Sequence, residues 1–253
     1  PMVGWHCGAR NAFLLYLELN SVELVSPGIW VEALRTPTLP PATHTNCYVV
    51  GTRSMSVFEP ASPDPTEQAK LAISLKHRLD QGHRLERIVI THHHRDHVGG
   101  VEALRRFCRA QNMTVPVCAH PVTAQLLAGS IAVDKTIEDG DTLTCDELEL
   151  HVHFTPGHTP GHLIFHDEAS SAIIAGDMVA GIGTIVLEPH EGDLGLYLDS
   201  LANMRALKPS VLLPAHGPPL VQADAILAFY IAHRHQRTEQ IRQAISGLGE
   251  ATP

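Results

Sequence analysis

Between residues 91 and 97 the chain reads Thr91-His92-His93-His94-Arg95-Asp96-His97. So many imidazoles and carboxylates in one short stretch suit metal chemistry. Imidazole nitrogen and carboxylate oxygen are ligands that zinc accepts at about 2.0–2.2 Å. In the core pattern H-x-H-x-D-H, a strand that ends in a loop lets His92 and His94 turn toward one point. Asp96 and His97 then lie one step further along, near a second point. Two metals about 3.5–4 Å apart can share one hydroxide, which makes hydrolysis the chemistry to expect. Three more segments place a ligand type just after a predicted strand: Thr155-Pro156-Gly157-His158, Ala175-Gly176-Asp177 and Pro214-Ala215-His216-Gly217. Each has a small residue or proline beside the ligand, as a tight backbone next to a metal requires.

The chain holds 18 histidines, and most are expected to be structural or solvated. His93 alternates with two ligands and is expected to point away from the metals. His162 is expected in a supporting position or on the surface. His151 and His153 share one face of a strand and match no motif. A histidine-rich surface loop, the bland alternative, would have no reason to set every ligand after a strand.

The elements that must position these residues are legible in outline. Short β-branched runs predict strands over 29–34, 47–50, 55–58, 87–91 and 115–119. Further strands are predicted over 148–154, 163–166, 172–175 and 211–213. Leu71, Leu75 and Leu79 at helical spacing predict a helix over 66–80. Gly99-Gly100 leads into a helix through Cys108, Pro121 opens a short one, and helices are predicted over 195–207 and 223–246. Asp139-Gly140 marks a turn. Strands cluster in both halves with helices beside them, which predicts an α+β domain of two packed sheets with helices outside. Residues 1–20 show no clear period and are set apart as an N-terminal extension. Residues 21–253 form the domain, including its C-terminal helix.

Composition narrows the functional classes. At 253 residues the chain can bury a full core. A net charge of −9 disfavours indiscriminate nucleic-acid binding, although a local basic strip is compatible with it. Arg95 and the group His233, Arg234, His235 and Arg237 are the basic candidates. The alternative for that group is a solvated face of the last helix. Cys7, Cys47, Cys108, Cys118 and Cys145 contain no C-x-x-C pair and are expected as reduced thiols of a cytoplasmic protein. No apolar run approaches the ~20 residues of a membrane span, so no membrane partner is expected.

The order H-x-H-x-D-H, G-H, G-D and H-G resembles the metallo-β-lactamase superfamily over roughly 29–243. The resemblance implies a four-layer αβ/βα sandwich with metals at one edge. Carried over, the first metal takes His92, His94 and His158, and the second takes Asp96, His97 and His216. Asp177 bridges them, and Asp96 and Asp177 are the catalytic carboxylates. Two Zn²⁺ are implied, with iron or manganese as alternatives. Zinc β-lactamases carry Cys or Ser where this chain has Asp177. Asp there is similar to hydrolases of phosphodiesters, thioesters and lactones. Phe58-Glu59-Pro60-Ala61-Ser62-Pro63, Gly176-Asp177-Met178-Val179-Ala180-Gly181, Tyr197-Leu198-Asp199-Ser200-Leu201 and His233-Arg234-His235-Gln236-Arg237 resemble a lactamase-β-like group that includes an animal endoribonuclease. That group usually continues into a C-terminal winged helix, which is not expected here. The implied substrate is a small ester, thioester or lactone, or a phosphodiester such as single-stranded RNA. A homodimer is a common assembly of such folds. Two other readings stand beside hydrolysis: a mononuclear-iron persulfide dioxygenase that uses only the first three histidines, and a non-catalytic metal-binding protein.

Overall fold

Residues that alternate along a strand must face two environments, and here both are apolar. In the computed structural model, which describes residues 23–247, two sheets lie face to face with helices on each outer side. The first sheet has the order β1-β2-β3-β4-β5-β6-β7. Its strands are β1 (Glu23–Ser26), β2 (Ile29–Arg35), β3 (His44–Val50), β4 (Ser54–Phe58), β5 (Arg84–Val89), β6 (Val117–Ala119) and β7 (Lys135–Thr136). The second has the order β13-β12-β11-β10-β9-β8. It is built from β8 (Thr142–Cys145), β9 (Leu148–Phe154), β10 (Leu163–Asp167), β11 (Ala172–Gly176), β12 (Val211–Pro214) and β13 (Leu220–Val221). The helices are α1 (Pro65–Asp80), α2 (Arg95–Val98), α3 (Val101–Ala110), α4 (Pro121–Leu126), α5 (Leu194–Ala206) and α6 (Ala223–Gly247).

Three apolar layers separate the four structural ones. Tyr48, Val50, Phe58 and Val89 of the first sheet meet Leu150, Val152, Leu163 and Phe165 of the second. The rings of Phe58 and Phe165 meet edge-on at 4.9 Å between centroids, a contact that adds about 0.5–1.5 kcal/mol beyond burial. On the other side of the first sheet, Val49, Met55, Val57 and Ile88 pack on Leu71 and Leu75 of α1 and Leu104 of α3. On the far side of the second, Ile164, Ile173 and Leu212 pack on Tyr197, Leu201 and Met204 of α5 and Leu227 of α6. The predicted α+β sandwich is the observed architecture.

The differences from the predicted elements are local. The strand predicted at 87–91 runs Arg84–Val89, and the one predicted at 115–119 is reduced to Val117–Ala119. The metal loop contains a single helical turn, α2, that was not predicted. The strands β1, β7, β8 and β13 were also not predicted. The extension at residues 1–20 and Cys7 lie outside the described residues. The other four cysteines are buried and free, as expected. No helix among the described residues is long and apolar enough to cross a membrane.

Candidate metal centre

Strand direction brings the ligand-bearing loops together. β4 and β5 run parallel, as do β11 and β12, and β9 runs antiparallel to β10, which is antiparallel to β11. The C-terminal ends of β9, β11 and β12 therefore share one edge of the second sheet. Each is followed at once by its predicted ligand: His158 after β9, Asp177 after β11 and His216 after β12. The first sheet contributes the loop after β5, which carries His92, His94, Asp96 and His97.

Hydrogen bonds between the sheets fix this edge. Leu163 N–H donates to the Thr91 carbonyl at 3.0 Å, and Asn46 N–H to the Ala215 carbonyl at 2.7 Å. The Asn46 amide also donates to the Pro214 and Gly217 carbonyls, each at 2.8 Å. Tyr48 Oη adds a bond to Pro214 O at 2.7 Å. Two glycines allow close approach. Gly157 has φ +130°, and a Cβ there would lie 2.2 Å from Tyr197 N. Gly176 has φ +49°, and a Cβ there would meet His162 Nε2 at 2.5 Å.

All seven predicted ligands converge. His92, His94, His158 and Asp177 place donor atoms within 4.8 Å of one another, and so do Asp96, His97 and His216. Asp177 touches both sets. Its Oδ2 lies 3.5 Å from His158 Nε2 and 3.6 Å from His97 Nε2, and its Oδ1 lies 3.5 Å from His216 Nε2. Asp96 Oδ2 is 3.5 Å from His216 Nε2.

The outer partners of the imidazoles set which nitrogen carries the proton. His158 Nδ1 donates to the Val186 carbonyl at 2.9 Å, and His216 Nδ1 to the His44 carbonyl at 2.9 Å. His97 Nδ1 donates to Glu59, and His94 Nε2 donates to Glu191 at 2.7 Å. In each neutral ring the opposite nitrogen must then present a lone pair inward. His94 Nδ1 and His158 Nε2, two such lone-pair atoms, are 3.2 Å apart. With both rings neutral, no proton lies between them to make a bond. Two nitrogens about 2.0–2.1 Å from a tetrahedral zinc would lie about 3.3–3.4 Å apart. The buried atoms His92 Nε2, His97 Nε2 and Asp177 Oδ1 have no hydrogen-bond partner among the described residues, a costly arrangement unless something else satisfies them. The residues present fit metal ions.

Electrostatics divide the imidazoles: burial favours the neutral ligand form of His92 and His158, whereas the carboxylates around His97 favour its protonated form, whose proton a metal would displace. Burial holds the His92 imidazole well below its ordinary pKa, and the facing histidines deepen the shift. Burial likewise takes His158 down to about 4. Both are therefore neutral, the ligand form, at pH 7. Burial opposes charge on His97, but Glu59 and then Asp177 outweigh it and hold that ring well above its ordinary pKa. Burial also opposes ionisation of Asp177, but His216 and His97 outweigh it and hold the carboxyl well below its usual range.

Two supporting residues, Glu59 and Glu191, were not identified from sequence, and His162 takes the supporting one of its two expected positions. Glu59 follows β4 and is buried; its Oε1 accepts from Thr91 N–H at 2.6 Å while its other oxygen holds His97. Its position inside the quoted segment 58–63 was a signal, but its role was not. Glu191 comes from the loop before α5 and binds His93 Nε2 at 3.0 Å as well as His94. His162 is fully buried, not on the surface. Its Nε2 accepts from Asp177 N–H at 3.1 Å, so its Nδ1–H donates to Thr155 Oγ1 at 2.9 Å. His93 faces Glu191 and does not belong to either converging set around Asp177.

A cleft opens onto the two sets. Among the described residues its wall includes Pro37, Leu39, Ile182 and Val186, with Glu188 as an acidic member and no Lys or Arg. None of the basic candidates from sequence is among the residues that line the cleft. Arg234 donates to the Ile185 carbonyl at 2.5 Å and stacks 5.3 Å from the Tyr197 ring centre. Arg237 binds Gln240 one turn along α6.

Comparison with known proteins bears on the family and the fold. The family model for the metallo-beta-lactamase superfamily matches residues 40–216. The chain is 31% identical over 235 residues to the lactamase-like protein vrtG of Penicillium aethiopicum, covering 91% of this chain and 70% of that one. It is 33% identical over 200 residues to the thioesterase pkgB of Emericella nidulans, covering 78% of this chain and only 53% of that one. A β-lactamase domain protein from Burkholderia ambifaria superposes with a TM-score of 0.78 at 22% identity, over 89% of this chain and 80% of that one.

Proposed function

Given that the chain belongs to the metallo-β-lactamase superfamily, we propose that it is a metal-dependent hydrolase of a thioester or ester, with two ions held by His92, His94, His158, Asp96, His97, His216 and Asp177. The observation that carries this reading is the convergence of lone-pair nitrogens and carboxylate oxygens into two sets that meet at Asp177. The completeness of the second set, Asp96, His97 and His216, favours two ions over the single iron of the dioxygenase reading.

Two bound ions, zinc by donor chemistry, would supply hydroxide near neutral pH by lowering the pKa of a shared water from about 15.7 toward ~7, and would polarise the scissile carbonyl. The chain's own residues do the rest. Asp177 stays ionised and would balance both cations. Asp96, a member of the second set, also lines the open cleft, so its carboxylate would accept a hydrogen bond from the nucleophile and aim it. Glu59, Glu191, Val186 O and His44 O hold four imidazoles in register. Apolar groups beside the cleft exclude water from an acyl chain.

Thioester or ester is favoured over phosphodiester because the cleft wall is apolar and acidic and carries no cation. A phosphate backbone needs Lys or Arg to offset its charge, and Arg234 is engaged within the fold. The thioesterase pkgB is consistent with the same substrate class. The test is a panel of an acyl thioester, a lactone, a nitrophenyl phosphodiester and single-stranded RNA. Fastest turnover of the thioester is expected. Turnover of RNA alone would overturn the substrate class and leave the metal centre standing.

A further inference from the structure

The two ligand sets depend on different parts of the fold. The second set is steadied from the first sheet: Glu59 at the end of β4 orients His97, and His44 O in β3 orients His216. In the first set His92 Nδ1 bonds its neighbour Thr91 Oγ1 at 2.9 Å, and the other two histidines are steadied by one loop, residues 182–193. From it Val186 O accepts from His158 Nδ1 at 2.9 Å, and Glu191 accepts from His94 Nε2 at 2.7 Å. The loop is itself pinned to the fold at two points, by Arg234 and Gly157, and braced internally by a third bond. Arg234 donates to Ile185 O at 2.5 Å, Gly192 N–H to Glu188 O at 2.7 Å, and Asp193 N–H to Gly157 O at 2.8 Å.

Within this loop Glu191 has the more consequential task. An imidazole free of outer partners exchanges between its two tautomers, and only one of them presents Nδ1 as a donor. The carboxylate of Glu191 accepts a proton, so it stabilises the His94 tautomer with hydrogen on Nε2 and leaves the Nδ1 lone pair facing His158. Its second oxygen lies 3.0 Å from His93 Nε2, which locks the carboxylate in place and gives His93 a task that is not ligation. A carboxylate behind a ligating histidine also raises the basicity of the donor nitrogen.

We propose that Glu191 is a positioning residue for His94, and that through it the loop 182–193 sets the affinity of the His92–His94–His158 set without setting that of the other. The inference rests on the two-ion reading. Glu188, Ile182 and Val186 of the same loop line the cleft, so the first ion and a bound substrate share one structural support.

The experiment uses the full chain in wild-type, Glu191→Ala and Glu191→Gln forms, with two readouts. The first is imidazole ¹⁵N shifts in metal-free protein. Wild type is expected to show His94 protonated on Nε2 alone, and Glu191→Ala a mixture of tautomers. The second is zinc titration against a competing chelator. Wild type is expected to take two equivalents. In Glu191→Ala one equivalent should weaken about 10- to 100-fold while the other holds. Glu191→Gln, whose amide oxygen still accepts from Nε2–H, should fall between and decides the matter if the alanine form fails to fold. An unchanged His94 tautomer, or equal weakening of both equivalents, overturns the proposal. Fewer than two equivalents in wild type instead overturns the two-ion reading, and the tautomer readout then still decides the role of Glu191.

Discussion

At the residue scale, one carboxylate and one outer-shell bond carry the most weight. Asp177 stands between both ligand sets, with contacts of 3.5–3.6 Å to His158, His97 and His216. Removing it leaves two cations without a shared counter-charge. Asp177→Ala should therefore lose activity by orders of magnitude while its circular dichroism stays that of wild type. His93→Ala should be mild in kcat/KM. Metal lost from His93→Ala but kept in His94→Ala would show that the loop register is misread. Glu59→Ala should weaken one metal equivalent by about 10- to 100-fold, because His97 loses the acceptor that fixes its tautomer. Retention of full affinity would remove Glu59 from the account. The ligands were legible because each follows a strand and belongs to an ordered motif. Glu59 and Glu191 were not, because their contacts join segments far apart in sequence, such as Glu191 and His94. No local spacing encodes such a pair.

At the element scale, the fold succeeds by ending strands at one edge and turning the chain sharply there. Gly157 must adopt φ +130° while Tyr197 of α5 presses against it. Gly157→Ala should be less stable by at least the ~1–3 kcal/mol of a strained backbone position, and His158 should be displaced with it. A melting temperature and zinc content equal to wild type would contradict that. The outer face of the second sheet offers a pH test away from the metals. His166 on β10 is 5% exposed with neither nitrogen partnered. Burial, then His153, lowers its pKa in the native state. The unfolded chain binds this proton near the ordinary value of about 6.5; the native state resists it. Stability should then fall as pH drops below about 6.5 and continue falling until the native group titrates. His166→Leu should flatten that slope between pH 7 and 5 in urea melts, and an unchanged slope would reject the assignment. Strands with continuous apolar runs were legible from sequence. β5 was misplaced because exposed Arg84 and Glu86 alternate with buried Leu85, so its first half reads as polar loop. The brief β7 and β13 have too few residues to show a period.

At the scale of the whole molecule, a protein with net charge −9 and a cleft without cations should prefer an uncharged acyl group. Thioester turnover should therefore change little between 50 and 500 mM salt. It should also survive Arg237→Ala, since that side chain is exposed and bound only to Gln240 among the described contacts. Cleavage that falls steeply with salt would instead signal counterion release from a nucleic acid. The proposed function depends on two ions held around Asp177. The most direct test is elemental analysis of wild-type protein purified from zinc-supplemented medium, with Asp177→Ala alongside it. Two complete ligand sets predict about two zinc ions per wild-type chain and a clear loss in the variant. A reproducible value near zero, or a single iron per chain, would contradict it.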